Sequence, residues 1–133
     1  MGGTKKPDFN ATLERGVEHS LILVSNDPSV KRILAKRTLP YPAVHSAAAL
    51  YNKKHLFIAG GRFKEQWSPG IYSIDIVKAF SKDQKAVATE LSDMPEAVYG
   101  PSMTIPNGPE FMIYVAGASL LNGHTKVFKY QND

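Results

Sequence analysis

Apolar residues along this chain fall into short runs separated by turn-forming residues, and no long stripe has the spacing of an amphipathic helix. One run covers residues 47–51, a polar turn follows at 52–54, and a continuous apolar run occupies 55–59. Two runs joined by a short polar turn are typical of a β-hairpin. We therefore predict an antiparallel hairpin over residues 47–59.

The same arrangement returns later in the chain with a longer turn. Residues 102–105 lead into a turn at 106–109, and an apolar run follows over 111–116. In both hairpins the second apolar run leads into small residues, around Gly60 in the first hairpin and around Gly117 in the second. These two glycines are 57 positions apart. Since glycine permits turns that other residues resist, we expect each strand to stop there. The sequence therefore predicts that the hairpin is part of an internal repeat.

Further strands extend both copies of the hairpin. A third strand is predicted at 71–76 in the first copy and at 126–130 in the second, and a fourth is predicted at 86–91 in the first copy. An equivalent third and fourth pair is predicted near the N-terminus, at 21–24 and 30–39. The connection over 77–85 contains apolar residues that could form one helical turn, but its polar second half favours an extended connection. The chain is therefore predicted to contain the last two strands of one four-stranded unit, then one complete unit, and then the first three strands of another.

This pattern resembles the kelch repeat, the four-stranded blade of many β-propellers, whose period is about 50 residues. The residues that carry the resemblance are Gly60-Gly61 after an apolar strand, Tyr72 in the next strand, and Leu39-Pro40 and Met94-Pro95 ahead of His45-Ser46 and Tyr99-Gly100. Ala118 stands where the second copy should have its second glycine, and the tryptophan expected after the third strand is missing.

The resemblance covers residues 18–133 and leaves 1–17 as a flexible N-terminal segment. It implies an all-β fold of kelch-like blades, each of four antiparallel strands, in an incomplete ring. Two and a half blades cannot close a ring that typically needs about 4–8, so we expect the remaining blades, a partner protein or further copies of the chain to cover the open faces. The alternative fold is a self-contained β-sandwich of about seven strands.

Composition narrows the functional classes. The chain has 133 residues, a formal charge of +4 and a pI near 9.3, but its basic residues are scattered among acids, which makes nucleic acid an unlikely partner. It contains no cysteine, which excludes thiol nucleophiles and cysteine-based metal sites and weakly favours the cytoplasm. No apolar stretch reaches the roughly 18 residues that a membrane helix needs, so no membrane partner is expected.

The sequence offers little for catalysis. Its four histidines have no metal-ligand spacing, its carboxylates are spread over predicted turns, and no nucleotide-binding or nucleophile motif is present. We therefore expect neither an enzyme nor a cofactor or metal. Kelch-like blades also resemble those of galactose-oxidase-like copper enzymes. These enzymes need a cysteine beside the metal, and this chain has none. A non-catalytic fragment of such an enzyme is therefore a further alternative.

Binding is the function that the sequence favours, because propeller ligands usually meet the loops at one end of the ring. We predict a protein-interaction module whose candidate binding residues are Tyr41, His45, Arg62, Lys64, Gln66, Trp67, Tyr99, Asn122 and His124. Aromatic side chains beside Arg and Gln also suit sugar stacking, so the alternative ligand is a glycan bound by an oligomeric ring. Predicted structural residues are Gly60, Gly61, Gly117 and Tyr72.

For three of the candidates a purely structural role is the competing interpretation. Trp67 could fold back and cap its own blade. His45 and Tyr99, at equivalent repeat positions, could each pack at the start of an innermost strand and form a hydrogen bond with a neighbouring blade.

Overall fold

The fold was analysed in a computed structural model that describes residues 21–23, 27, 29, 33–35, 44–63, 65–81 and 88–131. It is all-β with antiparallel sheets, as predicted. The strands are β1 (Leu21–Leu23), β2 (Ile33–Ala35), β3 (Ala47–Tyr51), β4 (His55–Ala59), β5 (Arg62–Phe63), β6 (Gln66–Trp67), β7 (Ile71–Asp75), β8 (Thr89–Glu90), β9 (Val98–Thr104), β10 (Met112–Ser119) and β11 (Thr125–Gln131), with one helix, α1 (Ile76–Ala79).

Two sheets form the body of the described structure. The first has the strand order β3-β4-β7-β8, and the second has the order β11-β10-β9. All neighbouring strands in both sheets are antiparallel. Strands β1 and β2 pair with each other, as do β5 and β6. The first hairpin has the predicted bounds, with β3 and β4 joined by a turn at 52–54.

The main hydrophobic core lies between these two sheets. Phe57, Ala59 and Ile71 contribute from the first sheet, and Ile113 and Val115 contribute from the second. Phe57 and Ala59 are two positions apart on β4, so their side chains lie on the same face of the first sheet. Ile71 of β7 pairs with Ala59, and directly opposite residues of paired strands share a face, so Ile71 lies on that face as well. Fully burying each of the Phe, Ile and Val side chains of this set contributes about 1.5–3 kcal/mol.

The other face of the first sheet is buried as well. Ile58 and Ile74 are 2% and 0% exposed and pack with Ala79 of α1 in a second apolar cluster. The run 56–59 is therefore continuously apolar because alternate residues serve different cores. By contrast, Val127 of β11 is on the outward face of the second sheet and is 64% exposed.

Two local predictions were wrong. Residues 76–79 form a helical turn instead of an extended connection, because the Asp75 carboxylate accepts a hydrogen bond from the Lys78 N–H and caps the turn. Strand β10 does not stop at Ala116 but continues to Ser119, with an irregularity in its pairing to β9 between Ala116 and Ala118. The predicted N-terminal segment 1–17 lies outside the described residues.

Candidate functional site

The connection between β4 and β7 leaves the first sheet as a closed loop. Gly60 and Gly61 have φ angles of +66° and +103°, which turn the backbone out of the strand. At the base of the loop the Gly60 N–H donates to the Gly70 carbonyl oxygen at 2.8 Å, and the Ser68 N–H donates to that of Gly61 at 2.8 Å. The loop is thus held by its own backbone, and its outer part forms the β5-β6 pair.

An aromatic cluster forms where this loop meets the second sheet. The ring of Trp67 lies 4.9 Å from that of Tyr99 and 6.3 Å from that of His45, measured between centroids. Tyr99 is 62% exposed, whereas Trp67 is half-buried. The structure therefore brings together three of the predicted binding residues, although they are up to 54 positions apart in the sequence.

Arg62 lies beside this cluster at the start of the loop. Its N–H donates to the Val44 carbonyl oxygen at 2.7 Å, and its guanidinium Nη2 lies 2.8 Å from the Glu65 carboxylate. Strand pairing sets Arg62 directly opposite Trp67. The Arg62 Nε and the Glu96 Oε1 are buried without a hydrogen-bond partner in the structure. Each is a polar atom for which a bound ligand or water would relieve the burial cost.

The remaining predicted residues are less closely connected to the cluster. Gln66 is exposed on β6. Asn122 and His124 belong to the turn between β10 and β11, where the Asn122 Oδ1 accepts a hydrogen bond from the His124 N–H at 2.9 Å. The pairing of Ala118 with both Tyr99 and Thr125 places this turn at the same end of the second sheet as Tyr99. Tyr41 and Lys64 lie outside the described residues.

The four predicted structural residues differ in what they contact. A Cβ at Gly61 would lie 3.1 Å from the Ser46 Cβ and 3.3 Å from the Val44 carbonyl oxygen. A Cβ at Gly60 would lie 3.0 Å from the Pro101 side chain, so this glycine lets the loop pass close to the second sheet. Gly117 sits within β10 against Val98. Tyr72 is half-buried in β7, with its ring against Gly70.

Sequence reasoning missed a second concave feature. A cleft of about 260 Å³ opens between the two sheets and is lined by Tyr51, His55, Phe57, Ser73, Leu91, Phe111 and Tyr130. These residues are dispersed over 80 positions and follow no motif. The sequence analysis used the apolar runs that contain several of these residues only to predict strands.

Two carboxylates among the described residues have a shifted pKa, and hydrogen bonds are the main cause of each shift. Hydrogen bonds from the backbone and side chain of Ser29 lower the pKa of Asp27, and the hydrogen bond from the Lys78 N–H lowers that of Asp75. Both carboxylates thus stabilise local turns. Within the same residues, His, Asp and Glu side chains form no group that could hold a metal ion. None of the described helical residues form a segment long and apolar enough to cross a membrane.

Comparison with known proteins adds no relative to this description. No protein-family model matches the chain, and no curated protein matches it significantly. The assignment of function therefore rests on the site itself.

Proposed function

We propose that this chain is a kelch-like propeller segment that acts as a protein-interaction module, binding through the end of the molecule where Trp67, Tyr99 and His45 meet. The observation that carries the proposal is this aromatic cluster, exposed at Tyr99, with Arg62 paired opposite Trp67 in the strand register. Tyr, Trp and Arg are the residues most enriched among those that dominate binding energy in protein interfaces.

The burial pattern supports the propeller over the sandwich. In a two-layer sandwich each sheet has one face in the core and one in solvent. The first sheet instead buries Phe57 on one face and Ile58 and Ile74 on the other. A blade between two neighbours needs both faces apolar, which fits this sheet. Its four strands also follow one another as an antiparallel meander, as they do in a blade.

The cluster has the features of a preformed contact surface. Trp67 is held by strand pairing and by two ring contacts, so little side-chain freedom remains to be lost on binding. Arg62, which pairs with Trp67 across the two strands, forms an ion pair with Glu65, so the same loop also carries charged groups. A rigid aromatic centre with a polar rim is the usual anatomy of a protein-binding site.

The test compares Tyr99→Ala with Val77→Ala. Both residues are exposed to the same extent, at 62%, but Val77 lies on α1 after β7, away from the aromatic cluster. Proteins retained by the immobilised wild-type chain and by Val77→Ala, but lost with Tyr99→Ala, would be purified and titrated directly. We expect Tyr99→Ala to weaken the reconstituted complex by about 2 kcal/mol, or roughly thirtyfold in Kd.

Two results would count against the proposal. Equal binding by both variants would remove the aromatic cluster from the interface. A glycan array signal that depends on Tyr99, together with no protein partner, would assign the same surface to carbohydrate recognition. Melting curves of both variants would establish that any loss of binding is not a loss of fold.

A further inference from the structure

The cleft between the two sheets lies at the end opposite the aromatic cluster. Tyr51 and His55 flank the β3-β4 turn, and Phe111 immediately precedes β10. The residues around Trp67 meet the other ends of these strands, near Ala47, Ala59 and Ser119. The cleft is therefore a separate feature that the proposed interaction surface does not use.

Aromatic rings form the walls of the cleft. The ring of Phe111 lies 4.9 Å from that of Tyr51 in an edge-to-face arrangement and 5.1 Å from that of Phe57. His55 lies 6.5 Å from Phe57, between centroids. Rings fixed at several angles present both faces and edges to an occupant, which favours another aromatic ring over a flexible aliphatic chain.

Polar groups on one wall are available to orient an occupant. His55 and Ser73 lie on the same face of the first sheet as Phe57, because Phe57 pairs with Ser73 and His55 with Asp75. Among the described residues, no side-chain hydrogen bond involves the His55 ring or the Ser73 hydroxyl. The neighbouring Asp75 carboxylate is engaged by the Lys78 N–H at 3.1 Å and by the Lys54 ammonium at 3.6 Å.

Size and charge limit the occupant further. The volume of about 260 Å³ exceeds the roughly 150 Å³ that admits a benzene ring and falls below the roughly 300 Å³ of a typical drug-sized pocket. One ring or two fused rings would fit. Among the residues that the structure describes, the lining includes no acid and no Lys or Arg, and the nearby charges of Lys54 and Asp75 are paired with each other. The occupant should therefore be neutral.

We propose that this cleft binds a small, neutral, planar aromatic molecule of the phenol or indole class. Its ring packs among Tyr51, Phe57 and Phe111, and its O–H or N–H group donates to the His55 ring nitrogen. The Ser73 hydroxyl lies on the same wall as His55 and can exchange a hydrogen bond with the ring system or with an accompanying water. Apolar walls with a few convergent polar groups are the usual composition of small-molecule sites.

The experiment is a titration of the full chain with indole, followed by amide resonances in two-dimensional NMR. We expect saturable shifts at His55, Phe57, Ser73 and Phe111 and none at Trp67, with a Kd on the order of 0.1 mM for a ligand this small. Indene, which matches indole in shape but lacks the N–H, should bind at least tenfold more weakly, because a hydrogen-bonding site discriminates against an analogue without the donor.

Two variants test the location. Ser73→Leu fills the cleft and should abolish the shifts, whereas the matched Ser102→Leu, on the exposed face of β9, should leave them unchanged. If Ser73→Leu fails to fold, His55→Leu replaces it and should equalise the affinities for indole and indene. Absence of saturation at millimolar indole, unchanged binding in the cleft variant, or shifts centred on Trp67 would overturn the proposal.

Discussion

The two copies of the hairpin use glycine at the same repeat position for different physical reasons. In the first copy, Gly60 and Gly61 adopt positive φ and lead the backbone out of the sheet into a long loop. In the second, β10 runs through Gly117 without a positive φ, and a Cβ there would lie 2.5 Å from the Val98 Cγ2. The first copy needs conformational freedom, whereas the second needs space.

This difference determines the surface of the molecule. Because the first copy leaves its sheet, it presents Trp67 to the second sheet. The second copy continues its strand and closes with a short turn over 120–124. The same small-residue motif therefore precedes a long loop that carries Trp67 in one place and lies within a closely packed strand pair in the other.

The largest effect is expected for Gly61→Ala, which violates both requirements. Its φ of +103° is strained for any residue with a Cβ, and that Cβ would lie 3.1 Å from the Ser46 Cβ and 3.3 Å from the Val44 carbonyl oxygen. We expect the free energy of unfolding to fall by about 3 kcal/mol. Urea denaturation measures this loss.

Two glycines serve as controls for that substitution. Gly123 has a φ of +71° but open space around it, and Gly108 has open space without a positive φ. Gly123→Ala should cost about 1 kcal/mol for backbone strain alone, and Gly108→Ala should cost close to nothing. If Gly61→Ala proves no more costly than Gly123→Ala, crowding at the base of the loop is not significant.

Gly117→Ala should have the next largest effect, about 2 kcal/mol, from steric overlap with the buried Val98 side chain. Combination with Val98→Ala sharpens the comparison, since removing the Val98 methyl groups makes room for the new Cβ. The double variant should be more stable than the sum of the single losses predicts, by about 1 kcal/mol or more. Strict additivity in the denaturation curves would show that Gly117 serves conformation and not space.

The smallest effect concerns the ends of the two third strands. Strand β7 ends at Asp75, which caps α1, whereas β11 runs on to Gln131. The hydrogen bond from the Lys78 N–H holds the pKa of Asp75 below its ordinary value of 3.8; partial burial opposes this shift, and the Lys54 ammonium reinforces it. The capping contribution is therefore complete above this ordinary value and is lost as the pH falls through the lower pKa of the folded state.

Asp75→Asn tests this pH dependence. The stability advantage of the wild type over the variant should be constant near neutral pH and shrink steadily below about pH 4, as the carboxylate is protonated. Urea midpoints measured between pH 2 and 7 give the profile. Asp93→Asn, at an exposed carboxyl outside the helix cap, is the matched control. An advantage that does not change with pH would contradict the role of the charged carboxylate.

The sequence predicted the strands well where one physical signal dominated. The bounds of β3 and β4 were correct because apolar runs on both sides of a polar turn leave few alternative registers. It predicted α1 wrongly because four helical residues are too few for a helical period. The signal that would have suggested the helix is Asp75, a preferred N-cap residue type, directly before the apolar residues Ile76 and Val77.

The candidate sites were predicted less completely. Trp67 was identified because it lies in the loop after the glycine pair, and Tyr99 because its position in the pattern is equivalent to that of His45. Their direct contact depends on how the two sheets stack. Gly117 was predicted to be structural, and the residue type could not reveal whether glycine is needed there for conformational freedom or for space. The cleft around Phe111 was missed because its walls come from both sheets, and their facing is a tertiary property.

The backbone hydrogen bond that joins Gly60 to Gly70 also makes the chain a convenient scaffold for engineering. This hydrogen bond joins the two ends of the intervening loop, so the strand pairing of the sheet does not depend on the residues inside that loop. Lengthening such a loop costs little free energy, since each doubling of its length adds about 0.6 kcal/mol of closure entropy. Foreign recognition sequences could therefore be grafted between these two glycines while β4 and β7 keep their pairing.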